Sequence, residues 1–353
     1  MSYFVIGYYA LLIGASCVTA YMYQRQAFML LFSLTLVSFV VGIVFGVGGL
    51  WSITVAAGAA ALAAGTSYAF REFLVAILPE NTAKEMRTAP LTAAFGLFVI
   101  FTYAIAGIFA PIIAPYGQAE VVASAFAPAD ENLLLGADQL GRDLFSRIVY
   151  GARNTVGLAL GATILAFVLG ALAGLLAAVK GGWFDQMMGR VADVIMSIPS
   201  LIFALLLLSI FGTQLWILVV IVAIIYSPRV FRLTRAVAGN VVVMDYIEAA
   251  KLRGEGTWYL IRREILPNST APLIAEFGLE FCFVFLLIAG LSFLGLGIQP
   301  PTADWGSMVR ENATLISFGD VTPLIPAAAI ALLTVAVNFV VDWMLWRSAG
   351  LKE

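Results

Sequence analysis

The sequence contains no histidine and only two cysteines. Histidine is the usual acid or base at neutral pH and the commonest metal ligand, so its absence leaves hydrolase triads and most zinc sites without their parts. Cys17 and Cys282 both lie in apolar stretches, where a thiol packs as a small apolar side chain, and no disulfide framework is indicated. We therefore expect no catalytic residue, no resident metal and no cofactor bound by this chain.

Charged residues are equally scarce. They make up 11% of the 353 residues, hydrophobic residues make up 62%, and the net charge is −2. A soluble domain carries roughly a quarter charged residues, so this composition predicts an all-α polytopic membrane protein in contact with lipid. The balance of charge gives no basic field for a nucleic-acid partner. The first basic residue is Arg25, so the apolar N-terminus lacks the positive region of a cleaved signal peptide and is predicted to be retained.

Nine apolar stretches approach or reach the length of about 20 residues that a membrane-spanning helix requires. They lie at 2–23, 28–48, 51–70, 91–114, 154–178, 191–211, 214–228, 271–297 and 322–346. Alternating them across the bilayer places most of the 19 basic residues on one side. Because positive loops stay cytoplasmic, this arrangement predicts an N-terminus outside and a C-terminus in the cytoplasm.

The spans fall into two groups. Residues 1–78 hold about three spans without a recognisable motif, and residues 79–353 form a six-span unit with long patterned loops. A polar joint at 79–90 separates them. We predict two domains on this division, with the loop at 229–267 as the main cytoplasmic feature of the second.

The loop at 229–267 contains seven basic and four acidic residues. Val243, Ile247, Ala250 and Gly254 recur there at helical spacing and predict a narrow face of small and apolar side chains, which another protein's surface can approach closely. A glycine after this helix, Gly254 or Gly256, is expected to reverse the chain. A second helical run is expected from residue 257 to residue 267. A basic amphipathic hairpin resting on lipid headgroups accounts for the pattern as well.

A motif within this loop carries a family resemblance. Glu248, Ala249 and Ala250, followed by Gly254 and then by Leu266 and Pro267, resemble the EAA loop of ATP-binding-cassette importer permeases. The resemblance implies a six-helix permease core and a short coupling helix that docks in a cleft of an ATPase subunit. The sequence has no Gly-x-x-x-x-Gly-Lys-Ser/Thr phosphate loop, so ATP and magnesium are expected on separate ATPase chains.

Two further stretches resemble one subfamily. Residues 135–143 (LGADQLGRD) are similar to the outside loop of dipeptide, oligopeptide and nickel permeases, specifically of the second of their two nonidentical subunits. Residues 291–297 (LSFLGLG) are similar to the end of their fifth core span. The resemblance covers most of 91–353 and implies a second permease subunit, two ATPase subunits, an external substrate-binding protein and a bacterial inner membrane. Peptides are the default substrate by this resemblance, and the N-terminal spans depart from the family pattern.

In the outside loop, Asp138 with Arg142 and Asp143 with Arg147 are acid-then-arginine pairs four residues apart, the favourable order on a helix. Gly141 lies between the two pairs. We expect a solvated amphipathic helix on the membrane surface, in which each exposed pair contributes only about 0.3–0.5 kcal/mol. The alternative is a surface that receives the substrate-binding protein.

Three residues within the spans are candidates for the translocation pathway. Glu276 and Glu280 lie one helical turn apart, and an ionised carboxylate inside a membrane costs several kcal/mol and usually faces a cavity or partner. For Glu276 the alternative is a carboxylate favoured by the helix N-terminus. Pro199 interrupts the span at 191–211 and is either a hinge or a static kink.

Two other acidic residues, Asp193 and Asp342, lie near cytoplasmic ends of spans. For these we favour an interfacial position or an ion pair with Arg190 and Arg347 respectively.

Two functions from different classes remain open on the sequence. The first is the permease subunit of an ATP-driven importer. The second is a proton-coupled secondary transporter in which Glu276 and Glu280 form the proton relay. An uncoupler abolishes uptake by the second, whereas depletion of ATP abolishes uptake by the first.

Overall fold

A computed structural model of the chain describes residue 30 and residues 50–348. The described residues form helices and connecting loops, with no β-structure among them beyond isolated bridges from Val121 to Arg142 and from Ala137 to Asp143. The prediction of an all-α membrane protein is confirmed. The predicted spans at 2–23 and 28–48 lie outside the described residues.

Fourteen α-helices follow one another within residues 50–348. They are α1 (Leu50–Ile77), α2 (Glu80–Arg87), α3 (Leu91–Ile108), α4 (Ala110–Ile113), α5 (Leu144–Gly151), α6 (Gly157–Lys180), α7 (Gly182–Ser197), α8 (Ser200–Phe211), α9 (Leu215–Val242), α10 (Asp245–Leu252), α11 (Thr257–Tyr259), α12 (Leu266–Phe293), α13 (Trp305–Asn312) and α14 (Leu324–Ser348). Short π-helical segments, Ala152–Val156 and Leu260–Ile265, join α5 to α6 and α11 to α12.

The chain divides into two compact units, residues 1–69 and residues 70–353. In the first, residues 50–69 belong to α1, so the predicted third span is helical. The second contains the remaining helices. The division into a 1–78 and a 79–353 domain stays a prediction.

Five helical runs of the described residues are long and apolar enough to cross a membrane, and a sixth is possible if a bent pair forms one span. The five are Leu91–Ile108, Leu144–Lys180, Leu215–Val242, Thr257–Phe293 and Leu324–Arg347. They coincide with five predicted spans but extend beyond three of them. A hydropathy pattern marks where the side chains stop being apolar, whereas a helix ends where its backbone hydrogen bonds end.

The helix α9 shows this difference most clearly. The predicted span ended at 228, yet the helix continues to Val242. The basic side chains of this helix are exposed, whereas Val230, Phe231 and Ala238 on the same helix are buried. The first part of the predicted loop at 229–267 is therefore helical, and the position of the loop relative to the membrane stays a prediction.

The predicted span at 191–211 is broken. Helices α7 and α8 meet at an angle of 88°, with Ile198 in an extended conformation and Pro199 immediately before α8. Proline lacks an N–H and disfavours the helical conformation of the residue before it. The predicted interruption of this span at Pro199 is confirmed, and whether Pro199 is a hinge or a static kink stays a prediction.

The predicted stop near residue 267 was also wrong, because the helical run continues from Thr257 to Phe293. Pro267 lies in the first turn of α12 and Pro272 lies inside it. The preceding π-helical segment, Leu260–Ile265, changes the hydrogen-bond register just before the first proline. Leu266 and Pro267 therefore sit at a junction inside one long helical run.

Two glycines allow a close contact between the helices α6 and α9. A Cβ atom on Gly174 of α6 would lie 2.8 Å from the carbonyl oxygen of Phe231 on α9, and one on Gly170 would clash with the carbonyl oxygen of Ser227. Glycines four residues apart let two membrane helices approach with their backbones in contact. This contact fixes α9, and hence its C-terminal part, against α6.

We predict that Gly174→Leu destabilises the protein by about 1–3 kcal/mol or more, because the added side chain forces α6 and α9 apart. Gly161→Leu is the matched control, since the same helix has open space at that position. Thermal unfolding of the purified protein in detergent measures the effect. Equal unfolding temperatures for the two variants would contradict this account of the contact.

Candidate coupling and transport sites

The short helix α10 carries the EAA residues. It begins after Met244, whose backbone is extended, and ends before Gly254, whose φ of +84° reverses the chain. The amide of Gly254 donates to the carbonyl of Lys251 at 2.9 Å, and the amide of Glu255 donates to Ala250 at 3.2 Å. Glycine adopts this left-handed conformation without steric cost. The expected chain reversal at Gly254 is confirmed.

The inner face of α10 packs on its own chain. Ile247 and Ala250 are completely buried in a cluster with Leu260, Ile261 and Ile265 from the following run. Leu175 of α6 and Ala238 of α9 complete this cluster. The expectation that this small apolar face meets another protein was wrong, because these residues seat the helix. Val243 and Gly254 lie outside α10 and do not share the face.

The outer face of α10 is exposed in the described chain and mixes charged with apolar side chains. Glu248, Ala249 and Lys251 are exposed there. Leu252 is 85% exposed, and Val243, just before the helix, is 78% exposed. Apolar side chains this exposed, grouped beside charges, mark a protein contact surface.

Four large side chains around α10 extend this surface and were not singled out from the sequence. They are Met244, Tyr246, Trp258 and Tyr259, each more than a third exposed. The sequence gives little indication of them, because a single aromatic residue or methionine in a polar loop forms no repeating pattern. Gly254, Leu266 and Pro267 are exposed nearby, whereas Ala250 is not. Two of the three EAA residues, Glu248 and Ala249, thus face outward.

The outside loop does not form the expected solvated helix. Asp138 and Arg142 lie in a non-helical turn with 1% and 3% of their side chains exposed. The Nε of Arg142 is 2.7 Å from Oδ2 of Asp138, and its Nη2 is 2.9 Å from Oε2 of Glu311. A turn brings residues four apart together as well as a helix does, which is why the spacing misled. The stabilisation of about 0.3–0.5 kcal/mol expected for an exposed ion pair therefore does not apply to the buried pair of Asp138 and Arg142.

Arg147 completes what we call the outer ion cluster, Asp138, Arg142, Arg147 and Glu311. Its Nε lies 3.2 Å from Oδ2 of Asp138 and its Nη2 lies 3.5 Å from Oε2 of Glu311. Its Nη1 also donates to the backbone carbonyl of Gln118 at 2.9 Å. Two arginines and two carboxylates thus tie the outside loop to α13. Glu311 was missed, because no local spacing links it to the other three.

Asp143 and Gly141 have structural tasks in the same loop. Asp143 does not pair with Arg147. Its Oδ2 instead accepts hydrogen bonds from the backbone N–H and the hydroxyl of Ser146, at 2.8 and 2.6 Å, and so caps α5. Gly141 has a φ of +76°, and a Cβ there would clash with the carbonyl oxygen of Ala123.

Another buried carboxylate, Asp304, links the start of α13 to the π-helical segment before α6. Asp304 accepts hydrogen bonds from the backbone N–H of Ser307 and the hydroxyl of Thr155, both at 2.8 Å. Burial raises the pKa of Asp304 above its ordinary value, and these hydrogen bonds oppose the shift. Beside it, the indole of Trp305 is fully buried and donates to the carbonyl of Ile148 at 3.0 Å.

The two membrane carboxylates lie on α12 with different surroundings. Glu280 is 1% exposed, and neither of its carboxylate oxygens has a hydrogen-bond partner in the described chain. Glu276 is half-buried and lies ten residues inside α12, so its interpretation as a helix N-terminal carboxylate was wrong. Arg229 of α9 interacts electrostatically with both. The sequence had assigned Arg229 to a loop.

The guanidinium of Arg229 lies over two aromatic rings. Its distance to the ring centre is 4.7 Å for Phe283 and 5.5 Å for Tyr226. These distances are within the range of cation–π interactions. Two carboxylates and one aromatic ring of α12 thus lie near one cation and one aromatic ring of α9.

The pairing of Asp193 and Asp342 differs from expectation. Asp193 forms an ion pair with Arg232, because the C-terminal part of α9 runs beside α7. Arg347 forms an ion pair with Glu85 of α2. Asp342 is exposed and lines a cavity of about 590 Å³.

Comparison with known proteins identifies the family. Residues 166–346 match the family described as the binding-protein-dependent transport system inner membrane component. The chain belongs to this family. It is similar to a di/tripeptide transport system permease protein of Pseudomonas aeruginosa, with 35% identity over 254 residues that cover 70% of this chain and 84% of the relative.

Two further relatives show similar coverage. A dipeptide transport system permease protein of Alkalihalophilus pseudofirmus is 33% identical over 76% of this chain and 88% of its own length. A glutathione transport system permease protein of Pectobacterium atrosepticum is 32% identical over 77% of this chain and 94% of its own length.

Family membership confirms the resemblance found in the sequence. The chain is a permease subunit of an ATP-binding-cassette importer and a multi-pass protein of the bacterial inner membrane. It is a non-enzymatic component, and ATP is hydrolysed on separate ATPase subunits. The proton-coupled alternative loses its support.

The outer ion cluster yields a prediction. Glu311→Gln leaves two buried arginines sharing the single carboxylate of Asp138, and loss of one partner from a buried ion pair costs about 3–5 kcal/mol. We expect a large fall in the unfolding temperature of the purified protein. Glu131→Gln, in an exposed part of the outside loop, is the control and should have little effect. If both variants unfold together, the cluster does not hold the loop.

Proposed function

We propose that this chain is the second of two nonidentical permease subunits in an importer of peptides or similar small polar solutes. The assembly also contains two ATPase subunits, which bind ATP and magnesium, and an external substrate-binding protein. The N-terminus lies outside and the C-terminus in the cytoplasm. The named transport of di/tripeptides, dipeptides and glutathione by relatives supports this class of substrate.

The exposed face of α10 is the observation that carries the proposal. Glu248 and Ala249 contact the ATPase subunit, together with the apolar side chains beside them, such as Leu252. Ala250 lies on the opposite face of α10, where its burial packs the helix against its own chain. Because that seat includes residues of α6, α9 and the run into α12, a push on α10 moves three long helices together.

The ends of α10 complete the coupling unit. Gly254 ends the helix by reversing the chain, so that the π-helical segment Leu260–Ile265 packs on the buried face of α10. Leu266 and Pro267 lie at the start of α12, directly after the π-helical segment. We assign these two residues to the joint through which α10 acts on α12.

On the outer side, we propose that the loop at 115–143 receives the substrate-binding protein. Val121, Phe126, Leu134 and Leu140 are each between 47% and 65% exposed and form its contact surface. The buried residues of the motif, Asp138, Gly141, Arg142, Asp143 and Arg147, hold the loop in shape and do not touch the partner.

We place Glu276 and Glu280 on the translocation pathway. Both lie on α12 in the membrane, and charged side chains at such positions line cavities or meet partners. Pro199, at the break between α7 and α8, is the proposed hinge of the same pathway. The exposed apolar surfaces of the long helices contact lipid and the second permease subunit.

The energy source provides the first test. We expect uptake by cells that produce the whole assembly to stop when ATP is depleted and to persist when an uncoupler collapses the proton gradient while ATP is maintained. Uptake of a labelled dipeptide measures both conditions. The opposite result would restore the proton-coupled alternative.

The contact of α10 with the ATPase provides the second test. Glu248→Arg reverses a charge on the exposed face, and we expect at least about tenfold less ATPase to co-purify, which corresponds to about 1.4 kcal/mol. Glu80→Arg makes the same change on the cytoplasmic helix α2 and serves as the control. Undiminished co-purification with Glu248→Arg would show that this face is not the docking surface.

A further inference from the structure

Glu280 differs from the other buried charged side chains of residues 50–348. The members of the outer ion cluster are paired, and Asp143 and Asp304 accept hydrogen bonds, but both oxygens of Glu280 lack any partner. Placing a carboxylate in an apolar interior without a partner is costly, and the group is kept only where something else compensates. The side chain therefore points to a partner that this chain does not supply.

The surroundings of Glu280 attract cations. Glu276 adds a second carboxylate one helical turn away, and the rings of Tyr226 and Phe283 add two π faces. The guanidinium of Arg229 lies over these rings, at 5.5 Å from the centre of Tyr226 and 4.7 Å from the centre of Phe283. Among the described residues, however, no ion pair within 4 Å joins Arg229 to Glu280. The guanidinium of Arg229 therefore lies over the aromatic rings and does not pair with Glu280. The carboxylate of Glu280 remains available to another donor.

We propose that Glu280 binds the primary ammonium group of the transported solute, such as the N-terminus of a peptide, as it passes through the membrane. An ammonium group carries three donors and matches the free acceptor sites of a carboxylate. Arg229 offers a fork of donors for a carboxylate on the same solute. The inference rests on the proposed function and narrows its substrate to solutes with a free amine.

The burial of Glu280 sets the stage of the cycle at which this binding occurs. In the structure the carboxylate is closed off, with α8 beginning at Ser200 beside Tyr226. The ammonium reaches Glu280 only in a state in which these helices have separated. Glu276 lies one turn nearer the cytoplasmic end of α12 and is the next acceptor on the way in.

The test uses the complete assembly in proteoliposomes, with the substrate-binding protein saturated by a labelled dipeptide or by its N-acetylated form. We expect Glu280→Gln to reduce uptake of the free-amine dipeptide by about tenfold or more. Uptake of the acetylated dipeptide should stay the same as in the unmodified assembly. ATPase activity stimulated by the loaded binding protein should persist in the variant, because the coupling helix is untouched.

Two variants guard against a purely structural effect. Glu280→Asp keeps the charge and should retain the preference for the free amine at a reduced rate. Asp342→Asn removes a carboxylate from the exposed cytoplasmic end of α14 and should change neither substrate's uptake. The proposal is overturned if Glu280→Gln lowers uptake of both dipeptides equally or of neither. It is also overturned if Glu280→Asp, tested when Glu280→Gln does not assemble, shows no preference for the free amine.

The same measurements separate the two levels of the argument. Should the unmodified assembly hydrolyse ATP in response to its binding protein but move neither dipeptide, the proposed substrate class fails. If it moves both and only the effect of Glu280→Gln is missing, the ammonium site fails and the proposed function stands.

Discussion

The seating of α10 on its own chain is the contact on which the rest of the molecule depends. Ile247 and Ala250 are fully buried against residues of α6, α9 and the run that leads into α12. A helix of eight residues is too short to be stable alone in water, so this packing is what gives it a fixed position. The close approach of α6 and α9 at Gly174 carries that position into the membrane.

The seat of α10 and the outer ion cluster are built with opposite chemistry. At α10 a small apolar cluster holds one face of the helix, and the opposite face stays exposed. On the outer side buried ions hold the loop, while Leu134 and Leu140 remain exposed. Buried ion pairs fix geometry more than they add stability, which fits a loop that is held in one shape.

The sequence was sufficient for the membrane class, most core spans and the family, because apolar length and motif spacing are local properties. It was insufficient wherever distant residues decide. Glu311 and Arg229 complete their sites from other helices, and no local sequence spacing links either residue to its partners. The direction in which Ile247 and Ala250 point was also out of reach, since a helical period identifies a face but not what covers it. The break at Pro199 was visible only as an interruption.

The same residue types thus have opposite fates at two levels of the molecule. At the outer end, the carboxylates of Asp138 and Glu311 meet two arginines and are satisfied within the fold. On α12, Glu280 lies near an arginine that is held over aromatic rings instead. If Glu280 served packing alone, an apolar residue of similar size would be more stable in its place. The unsatisfied carboxylate of Glu280, inside a long helix of an importer permease, is therefore best explained by a group that arrives from outside the chain.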